Sequence, residues 1–256
     1  MNEIRVPLDP MNPGQFLACC GLFALLAQDR DGVLARFVAD EQTPRRAMFA
    51  VQGMQTDLQS VLKKLREAKP EILQPEVGKA PEESISPLQL QVGEQDWRLD
   101  WWLNDFWDDK TDLKCWAGQV RSAVLLSELL ALIEPDTPAE KLFSAAAMTK
   151  SKYGIDPRSA WNALDFGFSP NEHNKDAATY PIVEIFGCLG LQAFRPILNK
   201  RRAGYSLWQA ALPLNVAQLA AFRPWSGLAC LQYEFPIEKR GQSYRFFAFA
   251  QFLGKK

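Results

Sequence analysis

The order of strand-like and helix-like segments in the first part of the chain limits the fold more than any other feature. Residues 3–8 (EIRVPL) alternate as a strand does. Asn12, Pro13 and Gln15 form the start signal of a helix. Two short strands, a helix and a further strand are predicted next, at residues 33–40, 46–52, 56–69 and 88–92 or 95–103. RNA-recognition folds share this order, so we predict an α+β protein with a ferredoxin-like unit in residues 1–110.

Residues 111–256 are predicted to hold a helical insertion and a C-terminal α+β portion, packed with the first part as one compact body. Apolar spacing predicts a long helix over residues 113–133. Pro181 opens another helix, which the pattern ends at Gly190. The segments YSLWQAALPLNVAQLAAF and LACLQYEFPIEKRGQSYRFFAFAQFL are interpreted as strands. The last two strands are predicted to form a hairpin that turns at residues 239–241.

Residues 150–178 follow no apolar period, and glycine and proline divide them into turns. A loop of this length inside a compact domain is usually functional or disordered. Its aromatic residues argue against disorder; they are Tyr153, Trp161, Phe166 and Phe168. Its cations are Lys150, Lys152, Arg158 and Lys175. Such a loop is suited to bind phosphates and stack on bases. The alternative is a structural role, in which the aromatic residues attach the loop to the core and the cations lie in water.

Three long runs, rich in tryptophan, proline or glycine, carry a resemblance to a known family. They are NPGQFLACCGLFALL, WWL followed by LKCWAGQ, and YGIDPRSAWNALDFGFSPN with YPIVEIFGCLGLQAFRP. In these runs, which fall in the same order and span most of the chain, the protein resembles the small Csb-type CRISPR-associated protein of type I-U (now I-G) systems. The resemblance implies a subunit or accessory of an RNA-guided interference complex. Its implied partners are CRISPR effector subunits and crRNA or target DNA, and it defines no residue roles.

Residues 199–202, NKRR, are the densest cationic run of the chain, and Tyr205 and Trp208 follow it. A charge run is usually a solvated face, but cations before aromatic residues also hold single-stranded nucleic acid. We therefore predict nucleic-acid contacts at both cationic stretches. The predicted phosphate ligands are Lys150, Lys152, Arg158, Lys200, Arg201 and Arg202, and the predicted stacking residues are Tyr153 and Trp161.

The charge balance limits how the protein meets nucleic acid. Lys and Arg total 29 against 30 Asp and Glu, a formal net charge of -1. The chain therefore lacks the basic character of a free-standing nucleic-acid binder, and contact would come from a local patch or within an assembly. The eight Trp residues fit subunit interfaces or a core.

Cysteine and histidine usage predicts neither a metal nor a cofactor. The five Cys include no CxxC pair and the single His is His173, so the cysteines are interpreted as small buried apolar residues. The acidic start of the chain is unlike a signal peptide, and no apolar run approaches membrane-spanning length. The sequence therefore predicts a cytoplasmic protein without membrane contact.

Motifs of nucleophilic, nucleotide-dependent and metal-dependent catalysis are missing from the sequence. Two alternatives to a non-enzymatic nucleic-acid-binding subunit stay open. One is a protein-binding scaffold of the same system. The other is a metal-dependent nuclease that uses dispersed carboxylates; the candidates are Asp156, Asp165 and Glu184, or the aspartates at 100, 105, 108, 109 and 112. Asp156 and Asp165 fit turn residues better, with Arg158 as a partner, and Glu184 fits the first turns of a helix.

Overall fold

The computed structural model describes residues 3–28, 30–73, 85–116, 120–160, 177–240 and 244–255. The helices of these parts are α1 (Pro13–Ala27), α2 (Leu58–Glu67), α3 (Ser122–Ala131), α4 (Pro181–Ala193) and α5 (Leu214–Phe222). The strands are β1 (Glu3–Leu8), β2 (Leu34–Ala39), β3 (Ala47–Gln52), β4 (Pro70–Ile72), β5 (Leu88–Val92), β6 (Gln95–Leu99), β7 (Ala147–Thr149), β8 (Ala177–Thr179), β9 (Arg202–Trp208), β10 (Cys230–Arg240), β11 (Tyr244–Phe247) and β12 (Gln251–Lys255). The predicted α+β class is confirmed.

The first sheet has the strand order β1-β3-β2, with β3 antiparallel to both neighbours. Because α1 connects β1 to β2, this is the split β-α-β arrangement with which a ferredoxin-like unit begins. The unit would continue with another strand beside β1, and among the described strands none pairs there. β5 and β6, where that strand was predicted, form their own hairpin and join β4 in a separate sheet. The turn between β5 and β6 is short, because Val92 already pairs with Gln95. This local pairing therefore takes precedence over pairing with β1.

The C-terminal sheet is built on β10. β9 pairs with residues 230–236 of β10 along one edge. β12 and β11 pair with residues 231–234 and 237–240 along the other edge, as one interrupted strand. The predicted C-terminal hairpin is present in β10 and β11, but Lys239 and Arg240, which were predicted in its turn, still pair with Arg245 and Tyr244 in the ladder. Residues 241–243 lie outside the described residues. β7 and β8 form a small separate ladder.

α1 occupies the middle of the molecule, and all of its residues from Pro13 to Ala27 are buried. Its predicted cap is present, because Asn12 Oδ1 accepts a hydrogen bond from the Gln15 backbone amide. α1 and α4 cross in backbone contact. A Cβ on Gly21 would lie 1.9 Å from the Phe186 carbonyl oxygen, and one on Gly190 2.0 Å from the Leu17 carbonyl oxygen. Only glycine permits so close an approach.

Three predicted elements differ from the structure. The helix predicted over residues 113–133 begins only at Ser122, because Cys115 instead accepts a hydrogen bond from the Arg245 backbone amide beside β11. Residues 214–222, interpreted as strand, form α5, which follows Pro213 and buries its alanines at helical spacing. α4 continues past Gly190 to Ala193, since Gly190 is needed inside the helix for the crossing with α1.

The buried apolar residues form one cluster that extends from Ile4 to Ala250. The predicted division at residue 110 stays a prediction. In the described parts of the chain, no helix combines the length and apolar character that crossing a bilayer requires.

Candidate nucleic-acid interface

Tyr153, a predicted stacking residue, lies in the protein interior with no exposed surface. Its ring meets Trp101 and Trp116 edge to face, with ring centroids 5.9 Å and 5.2 Å apart, and Trp102 packs against both tryptophans. Such edge-to-face contacts are favourable beyond the area they bury. Burial raises the pKa of the Tyr153 phenol well above its ordinary value. Tyr153 therefore pins the loop to the core, and no base reaches its ring in this structure.

Arg158, a predicted phosphate ligand, is engaged by protein groups. Its Nη2 donates to Asp156 Oδ2 at 2.5 Å and to the Phe143 carbonyl at 2.8 Å, and its Cζ lies 3.4 Å from the Tyr180 ring centroid. Asp156 is fully buried and also accepts from Asn12 Nδ2 at 2.9 Å. Because these hydrogen bonds satisfy both charges, the pair joins the loop to the start of α1. Asp156 organises the turn with Arg158 as the sequence predicted.

Glu184 of α4 holds the same loop from the other side. Its Oε2 accepts from the backbone amides of Tyr153 and Ile155 at 2.8 and 3.4 Å, and its Oε1 accepts from that of Asp156 at 3.1 Å. Burial raises the pKa of Glu184 to about 7, although the amides favour its charged form. The sequence explained Glu184 by the helix dipole alone. Its contacts make it an anchor for residues 153–156.

The remaining loop candidates divide between the surface and the part that is not described. Lys150 is exposed. Lys152 is half-buried, and its Nζ donates to the Ser159 carbonyl at 2.5 Å. Trp161 lies outside the described residues, as do Asp165, Phe166, Phe168, His173 and Lys175.

The cationic run at residues 199–202 forms a tight turn before β9. The backbone amide of Asn199 donates to the Arg202 carbonyl at 2.8 Å, and the Arg202 amide returns the bond at 2.9 Å. Lys200 and Arg201 between them have φ values of 48° and 62°. Two left-handed residues in succession define a type I′ turn, which asparagine and glycine favour. A side chain in this region costs about 1–2 kcal/mol per residue, so this turn presents two cations at a cost in stability.

The turn borders a shallow groove of about 430 Å³, which we call the basic groove. Its lining residues are Asp112, Lys200, Arg201, Arg202, Pro236 and Ile237. Two nearby cations are neutralised, since Arg202 pairs with Glu234 at 2.8 Å and Arg245 pairs with Asp112 at 2.6 Å. Within the described chain, Lys200 and Arg201 are exposed and have no such ion pair. This surface is therefore suited to bind an anion.

The aromatic residues that follow the run do not join it at the surface. Tyr205 and Trp208 are buried; the Tyr205 hydroxyl donates to the Pro10 carbonyl, and Trp208 Nε1 donates to the Ala35 carbonyl at 2.9 Å. Both rings pack on Phe16 of α1. They anchor β9, so the turn offers charge without a stacking platform from these two residues.

β11 links the two predicted stretches. The Phe247 backbone amide donates to the Gly154 carbonyl at 2.9 Å in the loop. On the same strand, the Arg245 side chain pairs with Asp112 at the rim of the basic groove. The loop at residues 150–160 therefore supports β11 from the interior, and the exposed cations near the basic groove come from the turn at residues 199–202.

The cysteines lie in the core, and several aspartates considered as metal ligands form ion pairs with arginines. All five cysteines are free and buried, as predicted, and burial raises the pKa of Cys188 to about 12. Asp100 pairs with Arg98 at 3.0 Å. Within the described ranges no group of three or more His, Cys, Asp or Glu side chains is arranged to hold a metal ion.

Comparisons with protein-family models, with curated proteins and with solved structures find no match to this chain.

Proposed function

We propose that this protein is a non-enzymatic subunit or accessory of a type I CRISPR RNA-guided interference complex of the I-U (now I-G) type, acting in cytoplasmic antiviral defence. In this proposal it contacts crRNA or target DNA together with neighbouring effector subunits. In such complexes base pairing reads the sequence while protein groups hold the nucleic-acid backbone. The proposal joins the resemblance of the three sequence runs to the exposed cationic turn.

The observation that carries the proposal is the left-handed conformation of Lys200 and Arg201. Unfavourable backbone conformations persist where the surroundings impose them, and they concentrate at binding sites. Here the Arg201 carbonyl accepts from the Ile237 backbone amide at 2.7 Å, which fixes the turn on β10. Two fixed cations beside a groove are a backbone-phosphate contact that needs no overall positive charge.

The split β-α-β order of the first sheet adds support from the fold. We propose that residues 1–110 derive from a ferredoxin-like, RNA-recognition-like unit whose later strands have been rearranged into the β4-β5-β6 sheet. Since many unrelated proteins share this strand order, the cationic turn carries more weight than the fold.

A protein-binding scaffold of the same system is the second candidate. The observation that favours it is Phe106, which is 86% exposed on the surface. Large exposed aromatic residues are typical of protein interfaces.

The first test is co-expression of the tagged protein with the products of neighbouring genes and a CRISPR array. Size-exclusion chromatography and sequencing of nuclease-resistant nucleic acid then report assembly. Co-elution with guide RNA of defined length is expected. Co-elution with protein subunits alone would instead favour the scaffold, and a lone monomer would contradict both functions.

The second test reverses the charge of the turn with Lys200→Glu/Arg201→Glu. The matched control is Lys63→Glu/Lys69→Glu, two exposed lysines at and after α2 with the same change of charge. If both cations neutralise phosphates, the plot of log binding constant against log salt concentration becomes shallower by about 1.4 for a single strand, because each phosphate contact contributes about 0.7 to the slope. An unchanged affinity and slope in the turn variant would refute this assignment.

A further inference from the structure

A second surface feature lies beside the basic groove. An antiparallel β-bridge between Leu103 and Lys110 closes a short hairpin of residues 103–110, here called the Phe106 hairpin. Phe106 at its tip is 86% exposed, the most exposed large apolar side chain of the described residues. Burying a phenylalanine side chain is worth about 1.5–3 kcal/mol. Covering the Phe106 ring with a partner would therefore release this free energy of burial.

The Phe106 hairpin is held firmly. The Asn104 backbone amide donates to the Asp109 carbonyl at 2.9 Å, and the Asn104 side chain bonds Asp108 at 2.5 Å. Trp107 has a φ of 58°, and Arg98 lies 4.2 Å from its ring centroid. Because the hairpin is ordered before binding, a partner does not have to supply that ordering free energy.

Charge restricts the partner. Asp105, Asp108 and Asp109 flank Phe106 in sequence and are exposed, and they outnumber the nearby cations Lys110 and Arg195, the latter 3.6 Å from Asp105. These carboxylates repel phosphates, so the hairpin is unsuited to nucleic acid. They match a surface on which cations border a small apolar floor. The basic groove is such a surface, because Lys200 and Arg201 are exposed there and the half-buried Pro236 is among its lining residues.

We infer that the Phe106 hairpin docks in the basic groove of a second copy of this chain. Phe106 would cover the apolar floor and lie against the guanidinium of Arg201 or the ammonium of Lys200, as cation–π pairs do. The three aspartates would face the same cations. The contact is polar at its rim and apolar at its centre, which is the usual composition of an interface.

The positions of hairpin and groove favour a symmetric dimer. Asp112, at the groove rim, follows Lys110 of the hairpin by two positions, so the two features are neighbours. A twofold axis between them lets each copy insert its hairpin into the other's groove. Two equal contacts form and the assembly closes at two copies.

The inference has a regulatory consequence that rests on the proposed function. Lys200 and Arg201 are the cations assigned to phosphate binding, so the dimer and nucleic acid compete for them. Self-association then shields the basic turn until a nucleic acid displaces the partner copy. Dimer formation itself is tested without nucleic acid, and its outcome is independent of the proposed function.

The experiment is a concentration series of the full chain in sedimentation velocity, at low and at high salt. A monomer–dimer equilibrium that weakens with salt is expected. Phe106→Ala is expected to weaken the dimer at least about tenfold, the effect of losing one central anchor. Met148→Ala removes another exposed apolar side chain, 64% exposed on β7, and is expected to change nothing. A wild-type monomer throughout the series, or equal dimerisation of Phe106→Ala, overturns the inference.

A charge exchange tests the geometry. Asp105→Lys/Asp109→Lys alone and Lys200→Asp/Arg201→Asp alone are each expected to be monomeric, because the hairpin of the first variant becomes net positive against Lys200 and Arg201, and the groove of the second becomes negative against the aspartates. Mixing the two variants makes both contacts attractive again, so a heterodimer is expected by native mass spectrometry. Failure of the heterodimer, with both variants folded by circular dichroism, overturns the proposed docking.

A titration of the wild-type dimer with single-stranded oligonucleotide separates the two proposals. Release of monomers on binding supports the competition. Binding without release overturns the competition and the assigned groove. An absence of oligonucleotide binding contradicts the proposed function, while the dimer data above stand by themselves.

Discussion

The loop at residues 150–160 and the turn at residues 199–202 both join cations to aromatic residues in the sequence, yet the structure gives them opposite environments. In the loop, Tyr153 is buried and Arg158 is held by Asp156. In the turn, Lys200 and Arg201 are exposed in a costly backbone conformation. A cation whose hydrogen bonds are satisfied internally stabilises the fold, whereas one that is exposed at a cost in stability is available to a ligand. The comparison predicts opposite effects of mutation on stability and binding.

The largest expected effect is that of Tyr153→Ala in the loop. Removing a large aromatic side chain from a closed core costs about 3–5 kcal/mol of unfolding free energy. Urea denaturation followed by tryptophan fluorescence measures it, since Trp101 and Trp116 border the site. The control Met148→Ala, on the surface, is expected to change stability by less than about 0.5 kcal/mol. Loss of nucleic-acid binding by Tyr153→Ala with unchanged stability would reverse the comparison.

Asp156→Ala comes next. It leaves the Arg158 guanidinium and the Asn12 amide without their acceptor, and breaking such a pair costs about 3 kcal/mol. Asp105→Ala is the matched control, because that exposed carboxylate lies 3.6 Å from Arg195 and its loss is worth about 0.5 kcal/mol or less. Chemical denaturation of both variants compares them. Equal small effects would show that the buried pair does not hold the loop.

Glu184 gives the loop a dependence on pH. Its pKa is raised from 4.5 to about 7 in the folded state, so the folded protein binds the proton more tightly than the unfolded chain. Stability from this group is therefore present below pH 4.5 and is lost as pH rises towards 7, by on the order of 3 kcal/mol. Glu184→Gln is expected to remove this slope, whatever its effect on absolute stability. The exposed Glu238→Gln should keep it, and melting temperatures from pH 4.5 to 8 provide the measurement.

The smallest expected effect has the opposite sign. Lys200→Asn/Arg201→Gly gives the turn the residues that its conformation favours and removes both cations. Stability is expected to rise by about 1 kcal/mol, because glycine and asparagine adopt left-handed φ at little cost. Affinity for single-stranded nucleic acid should fall at the same time. A variant that is more stable and binds as well as the wild type would show that the turn is not the contact.

Local patterns predicted much of the fold. The alternation of residues 3–8, the cap at Asn12 and the spacing of apolar residues in α2 each depend on neighbours in sequence, and each predicted its element. The helix predicted from Leu113 was wrong over its first part because Cys115 bonds to Arg245, far along the chain. The strand predicted at residues 88–92 or 95–103 joined a separate sheet, because β5 and β6 pair with each other across a short turn.

The candidate site was predicted only in part. The NKRR run located the turn, because charge density is visible in sequence. The left-handed backbone conformation of this turn could not be predicted, because lysine and arginine rarely adopt it. The sequence left open whether Tyr153 stacks on bases or packs on the core, because its partners Trp101 and Trp116 come from another part of the chain. The pairing of Arg158 with Asp156, two positions away, was predicted. Phe106 carried no periodic signal, and its exposure became known only from the packing around the hairpin.

The sequence by itself determined the α+β class, the central apolar helix α1 and the places where cations and aromatic residues are concentrated. These follow from periodicity, capping and composition, which act over a few residues. Tertiary structure alone decided which cations are available to a ligand. Asn12 meets Asp156 across 144 positions of sequence, and the buried Asp156 holds the partly exposed Arg158, while Lys200 and Arg201 remain in water. Burial and pairing between distant segments are properties of the folded chain, so no local pattern contains them.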